Sequence, residues 1–83
     1  SYISGDANYT YAACGENNWY LYAIPKNGGS VKTLLSSEGA SYRIEMVTYT
    51  DAPYAALQSM HYKLSNGTAI ALGTNNTPKT AQI

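Results

Sequence analysis

Trp19-Tyr20-Leu21-Tyr22-Ala23-Ile24, closed by Pro25, is the stretch that decides the fold. Read with a period of two, Trp19, Leu21 and Ala23 share one face and Tyr20, Tyr22 and Ile24 the other. A strand apolar on both faces is central in its sheet or covered on each side. Pro25 ends it, because proline has no N–H to give to the ladder.

Working outward, Gly15-Glu16-Asn17-Asn18 reads as a turn preceded by an alternating segment over residues 7–14. There Tyr9, Tyr11 and Ala13 oppose Asn8, Thr10, Ala12 and Cys14. On the other side, Lys26-Asn27-Gly28-Gly29 supplies a turn in which adjacent glycines can take positive φ. The aromatic strand followed by Asn27-Gly28-Gly29 resembles many β-sheet repeats, but the unit is found once and no internal repeat is identified. Residues 30–35 form the next expected strand, and Ser36-Ser37-Glu38-Gly39-Ala40 reverses the chain. Residues 41–50 give the longest alternation, with Tyr42, Ile44, Met46 and Thr48 on one face and Arg43, Glu45, Val47 and Tyr49 on the other. No helical period of useful length precedes residue 50.

Thr50-Asp51-Ala52-Pro53 reads as a helix start, with Asp51 as cap and Pro53 in the first turn. Tyr54-Ala55-Ala56-Leu57-Gln58 then predicts a short helix near residues 52–59. Beyond it lies a hairpin around Asn66-Gly67. A two-residue loop would set Tyr62 and Ile70 on opposite faces. A three-residue loop, Ser65-Asn66-Gly67, pairs Leu64 with Thr68 and Tyr62 with Ile70, uniting the larger apolar side chains, and is the preferred register. The expected fold is therefore mainly β: a small antiparallel sheet or sandwich of five to six strands with one short helix. It forms a single domain over residues 1–83, with residues 74–83 as a terminal tail or short edge segment.

Composition narrows the function. Five basic and five acidic side chains cancel in a chain of 83 residues. They form no basic stripe that would neutralise several phosphates, so nucleic acid is not an expected partner. No apolar run reaches the roughly 20 residues that a membrane-spanning helix needs. Only 12% of residues are charged, about half the usual share. With the non-methionine start at Ser1, this suits a processed, secreted or extracellular chain.

One cysteine, Cys14, and one histidine, His61, exclude an internal disulfide and a conventional structural zinc site. No cofactor-binding pattern is present: Gly28-Gly29 leads into a strand and not a long helix. Cys14 is either a buried small side chain or the bridge to another chain. The five carboxylates show no catalytic spacing, and Cys14 with His61 as nucleophile and base is unsupported by any local pattern.

The aromatic inventory carries the functional signal: nine Tyr, one Trp and no Phe. Such rings give broad contact area with a polar edge. Trp19, Tyr20 and Tyr22, with Tyr9 and Tyr11 in the preceding segment, are the candidate binding residues. Asn8, Asn66 and Asn75 stand in acceptor patterns for N-linked sugars. The function expected is a non-enzymatic protein acting by protein–protein contact, as an inhibitor, toxin or effector subunit with a second subunit as partner. The alternatives are a carbohydrate-binding module, a structural or virion component, and a subunit of an enzyme completed by another chain.

Overall fold

The computed structural model describes residues 1–37 and 43–73. Among the described residues, eight strands build two four-stranded antiparallel sheets, each a simple meander. Sheet I contains β1 (Tyr2–Gly5), β2 (Tyr9–Gly15), β3 (Trp19–Pro25) and β4 (Lys32–Ser37). Sheet II contains β5 (Ile44–Thr48), β6 (Pro53–Leu57), β7 (Met60–Ser65) and β8 (Thr68–Gly73). The sheets pack as a sandwich. Tyr11, Ala13, Trp19, Leu21 and Ala23 of sheet I meet Ile44, Met46, Ala55 and Leu64 of sheet II in one buried cluster.

Two expectations are corrected. The expected five to six strands with a short helix near residues 52–59 are replaced by eight strands, and no helix occurs among the described residues. The segment expected to be helical is β6, an inner strand hydrogen-bonded to β5 and β7. Two neighbours satisfy its backbone, whereas a helix as short as residues 52–59 recovers little beyond the cost of its first turn. Pro53 is tolerated because it occupies the first strand position. Asp51 accepts the Tyr54 hydroxyl at 2.9 Å and so serves a strand residue, not a helix end.

The second correction concerns the last hairpin. Ser65 pairs with Thr68 and Leu64 with Ala69, leaving the two-residue loop Asn66-Gly67. Asn66 at φ 49° and Gly67 at φ 82° both lie in the left-handed region that such a loop requires. Tyr62 and Leu64 still face the core, but Ile70 pairs with Lys63 on the outside and is half exposed. The register sacrifices the burial of Ile70 because the turn docks against sheet I. A Cβ on Gly67 would lie only 2.5 Å from the Tyr9 ring, so a side chain there would have to displace that ring.

Elsewhere the alternation places side chains as expected: Trp19, Leu21 and Ala23 face inward, and so do Ile44 and Met46. Strand β1 was not anticipated. Residues 74–83, expected as a tail, lie outside the described residues, as do residues 38–42 of the expected turn and strand start. No helix long and apolar enough to cross a membrane is present among the described residues.

Candidate functional site

Sheet I turns its second face outward, and the pleat of β3 delivers two rings to it. Tyr20 and Tyr22, two residues apart, stack with ring centroids 5.9 Å apart and planes at 22°. Register builds the surroundings: Cys14 lies opposite Tyr20, Ala12 opposite Tyr22, and Ile3 opposite Ala12. Ala12 is small enough to keep the strip between Ile3 and Tyr22 low. Ile3 is 75% exposed and Ile24, beyond Tyr22 on β3, is 37% exposed. No charged residue occurs on β1, β2 or β3. The result is a flat, uncharged surface of aliphatic and phenolic groups.

The five rings singled out in the sequence do not share this face. Trp19 is buried in the core and tilts against Tyr2 at 6.5 Å. Tyr11 is fully buried, and Tyr9 stacks beside it at 6.4 Å with the Lys32 ammonium 5.2 Å from its centroid. Only Tyr20 and Tyr22 lie outside, with Ile3 and Ile24 completing a surface that a search for aromatic residues misses. The signal for Ile3 was its place in β1, which sequence alternation did not resolve.

Tyr9 and Tyr11 belong instead to a polar lock between the sheets. Asp6 Oδ2 accepts the Tyr11 hydroxyl at 2.6 Å and the Asn66 amide at 2.9 Å. Asp6 Oδ1 accepts the amides of Asn8 and Tyr9, and Gly67 N–H donates to Tyr11 Oη at 2.8 Å. Partial burial works to raise the Asp6 carboxyl, but the bonds from Tyr11, Asn8, Asn66 and Tyr9 outweigh it and hold the group below its ordinary value. Burial, then the neighbouring Asp6 carboxylate, pushes the Tyr11 phenol up to about 12. Every group in this set already has a protein partner, which marks it as a fastening.

Sheet II carries a related pair on its outer face. The Tyr54 hydroxyl donates to Asp51, and Lys63 Nζ lies 3.3 Å from the same carboxylate oxygen. The bond from Tyr54 is foremost in holding Asp51 below its ordinary value, with Lys63 assisting against the cost of desolvation. Burial and then Asp51 raise the Tyr54 phenol.

Cys14 is a half-buried free thiol on the outer face of sheet I. His61 pairs with Ala56 on the outer face of sheet II, so the two side chains point away from each other across the sandwich. Among the described residues no group of three His, Cys, Asp or Glu is placed to hold a metal ion. Of the asparagines that stand in sugar-acceptor patterns, Asn8 and Asn66 are exposed, and Asn8 Nδ2 donates to Asn66 Oδ1 at 3.2 Å. Asn75 lies outside the described residues. A shallow depression of about 430 Å³ beside them is lined by Asn8, Tyr9, Pro25, Lys26, Asn27 and other turn residues. It gathers neutral amides and one lysine but no acid–base pair.

No family model, no curated protein and no solved structure matches this chain.

Proposed function

We propose that the chain is a non-catalytic protein-contact module that binds through the outer face of sheet I. The observation that carries this reading is the uncharged strip of Ile3, Ala12, Tyr22 and Ile24 beside the stacked Tyr20. Exposed apolar patches bordered by polar turns mark interaction sites, and aromatic residues dominate the energetics of such contacts. Protein is favoured over glycan as the ligand because Tyr20 and Tyr22 stack on one another instead of lying side by side as a platform for sugar rings. The aliphatic borders Ile3 and Ile24 suit dry packing. An extracellular setting is part of the proposal and rests on composition alone, the low share of charged residues.

Parallel protein and glycan arrays probed with the native chain and with Ile3→Asp test it. Protein binders lost by Ile3→Asp are the expected result. Binding confined to glycans, or protein binding indifferent to Ile3→Asp, overturns the reading.

A further inference from the structure

The two sheets are copies of one another in register. In the first hairpin, Tyr2↔Ala13, Ile3↔Ala12, Ser4↔Tyr11 and Gly5↔Thr10 recur as Glu45↔Ala56, Met46↔Ala55, Val47↔Tyr54 and Thr48↔Pro53, at one constant offset. The turns between them match as well, Asp6 N–H to Tyr9 O and Tyr49 N–H to Ala52 O, each at 2.9 Å. In the last hairpin, Leu21↔Leu35 followed by Tyr22↔Thr33 recurs as His61↔Gly73 followed by Tyr62↔Ala71. Each register shift skips one residue of the final strand, Leu34 in one sheet and Leu72 in the other. Tyr11-Ala12-Ala13 and Tyr54-Ala55-Ala56 are the surviving sequence trace, and each tyrosine bonds an aspartate of its own turn.

This equivalence reveals how the sheets are packed. Met46, Ala55, Tyr62 and Leu64 of sheet II lie against sheet I. Their counterparts in sheet I, Ile3, Ala12, Tyr22 and Ile24, lie on its uncovered face. Conversely, Ser4, Tyr11, Ala13 and Leu21 of sheet I face sheet II, while register puts their counterparts Val47, Tyr54, Ala56 and His61 on the side of sheet II away from sheet I, where Val47 is exposed and Tyr54 is buried. The sandwich is therefore face to back. Like strands also lie together, β1 contacting β5 and β4 contacting β8. A face-to-face pair would use up its matching surfaces, whereas a face-to-back pair leaves one of each at its ends. Repeat arrays need polar outer faces on their terminal units; here Ile3 at 75% and Val47 at 48% put an exposed aliphatic side chain on each outer face.

We propose that the two sheets are successive units of a stacking repeat, and that the outer face of sheet I receives the outer face of sheet II from a second copy of this chain, head to tail. This rests on the contact reading above and names its partner. The new junction repeats the one inside the chain. Asp51 and Tyr54 of the second copy take the places of Asp6 and Tyr11, and the Asn27-Gly28 turn of the first copy takes the place of Asn66-Gly67. Radially repeated four-stranded sheets close as propellers of roughly four to eight blades, a number that two to four copies of this two-sheet chain supply.

The test is mass measurement by sedimentation and native mass spectrometry of the whole chain and two charged variants. Ile3→Asp spoils the face of sheet I and Val47→Asp that of sheet II; both positions are exposed, and circular dichroism checks that each variant remains folded. The wild type is expected to form concentration-dependent oligomers, each variant alone to be monomeric, and an equimolar mixture to form a one-to-one dimer, since each variant keeps the face the other lacks. A wild type that stays monomeric up to about 1 mM, where even millimolar affinity registers, overturns the proposal; so does failure of the folded variants to complement. Ile3-dependent binders on the protein array, beside a monomeric wild type, would refute self-stacking and leave the contact reading standing.

Discussion

Asp6 shows how much one short side chain can fix. Its carboxylate draws two amides of its own turn together and reaches the Asn66 amide and the Tyr11 hydroxyl, so one residue ties the β1–β2 turn to the β7–β8 turn. Asp6→Asn replaces an acceptor with a donor facing other donors, and is expected to cost about 1–3 kcal/mol, the scale of leaving a donor without its partner. The same bonds predict a pH dependence. Because the folded carboxyl lies below its unfolded value of 3.8, its contribution is present above that value and is lost as pH falls through the folded one. Tyr11 acts at the other end: with the folded phenol raised from 10.0 to about 12, its contribution is complete below pH 10 and declines as pH rises toward 12. Urea unfolding midpoints between pH 2 and 12 check both limbs. Asp6→Asn should shallow the acid limb without abolishing it, since Asp51 is also held low. An unchanged acid limb would show that the lock does not contribute.

At the level of strands, equal positions have unequal surroundings. Leu64 on β7 and Ile24 on β3 occupy matching places, two residues beyond Tyr62 and Tyr22. Leu64 is 1% exposed and Ile24 37%. Leu64→Ala should cost about 2–4 kcal/mol through lost burial and the cavity left behind, whereas Ile24→Ala should cost less than about 1 kcal/mol in the monomer. Denaturant titration in dilute solution compares them directly; similar costs would contradict the assigned faces. Strand β6 illustrates why local preference misleads. Tyr54-Ala55-Ala56 favours a helix by propensity, yet Ala55 is needed as a small residue under the opposite sheet and its backbone has a strand on each side.

The whole molecule is stabilised at one interface between two thin layers. Each meander has its own hydrogen bonds, but Tyr11, Trp19 and Leu21 of sheet I and Ile44 and Leu64 of sheet II are buried in the cluster between the sheets. A unit of this kind cannot bury its apolar face alone. Residues 1–37, which contain all of sheet I, are therefore expected to be unfolded by themselves. Near-ultraviolet circular dichroism and amide-proton dispersion check this, and a native-like spectrum for that fragment would show that the two units are autonomous.

Alternation by itself determined the β class, the inward placing of Trp19, Leu21, Ile44 and Met46, and the pairing of Tyr20 with Tyr22 on the other side of β3, because a strand's period of two is a local property of the backbone. It also supplied the Asn66-Gly67 loop as a turn, but not its register, since Ile70 was assigned to the core by size when docking against Tyr9 held it outside. The number of strands, the strand state of residues 53–57, the separation of Tyr9 and Tyr11 from Tyr20 and Tyr22, and the repeat itself were decided only by tertiary structure. Pairing partners distant in sequence satisfy the backbone, and which face is covered depends on the sheet that arrives from elsewhere. The repeat is hidden in the sequence for the same reason: the two sheets share their pairing register, while equivalent positions are buried on opposite sides and little beyond Tyr-Ala-Ala is common to both.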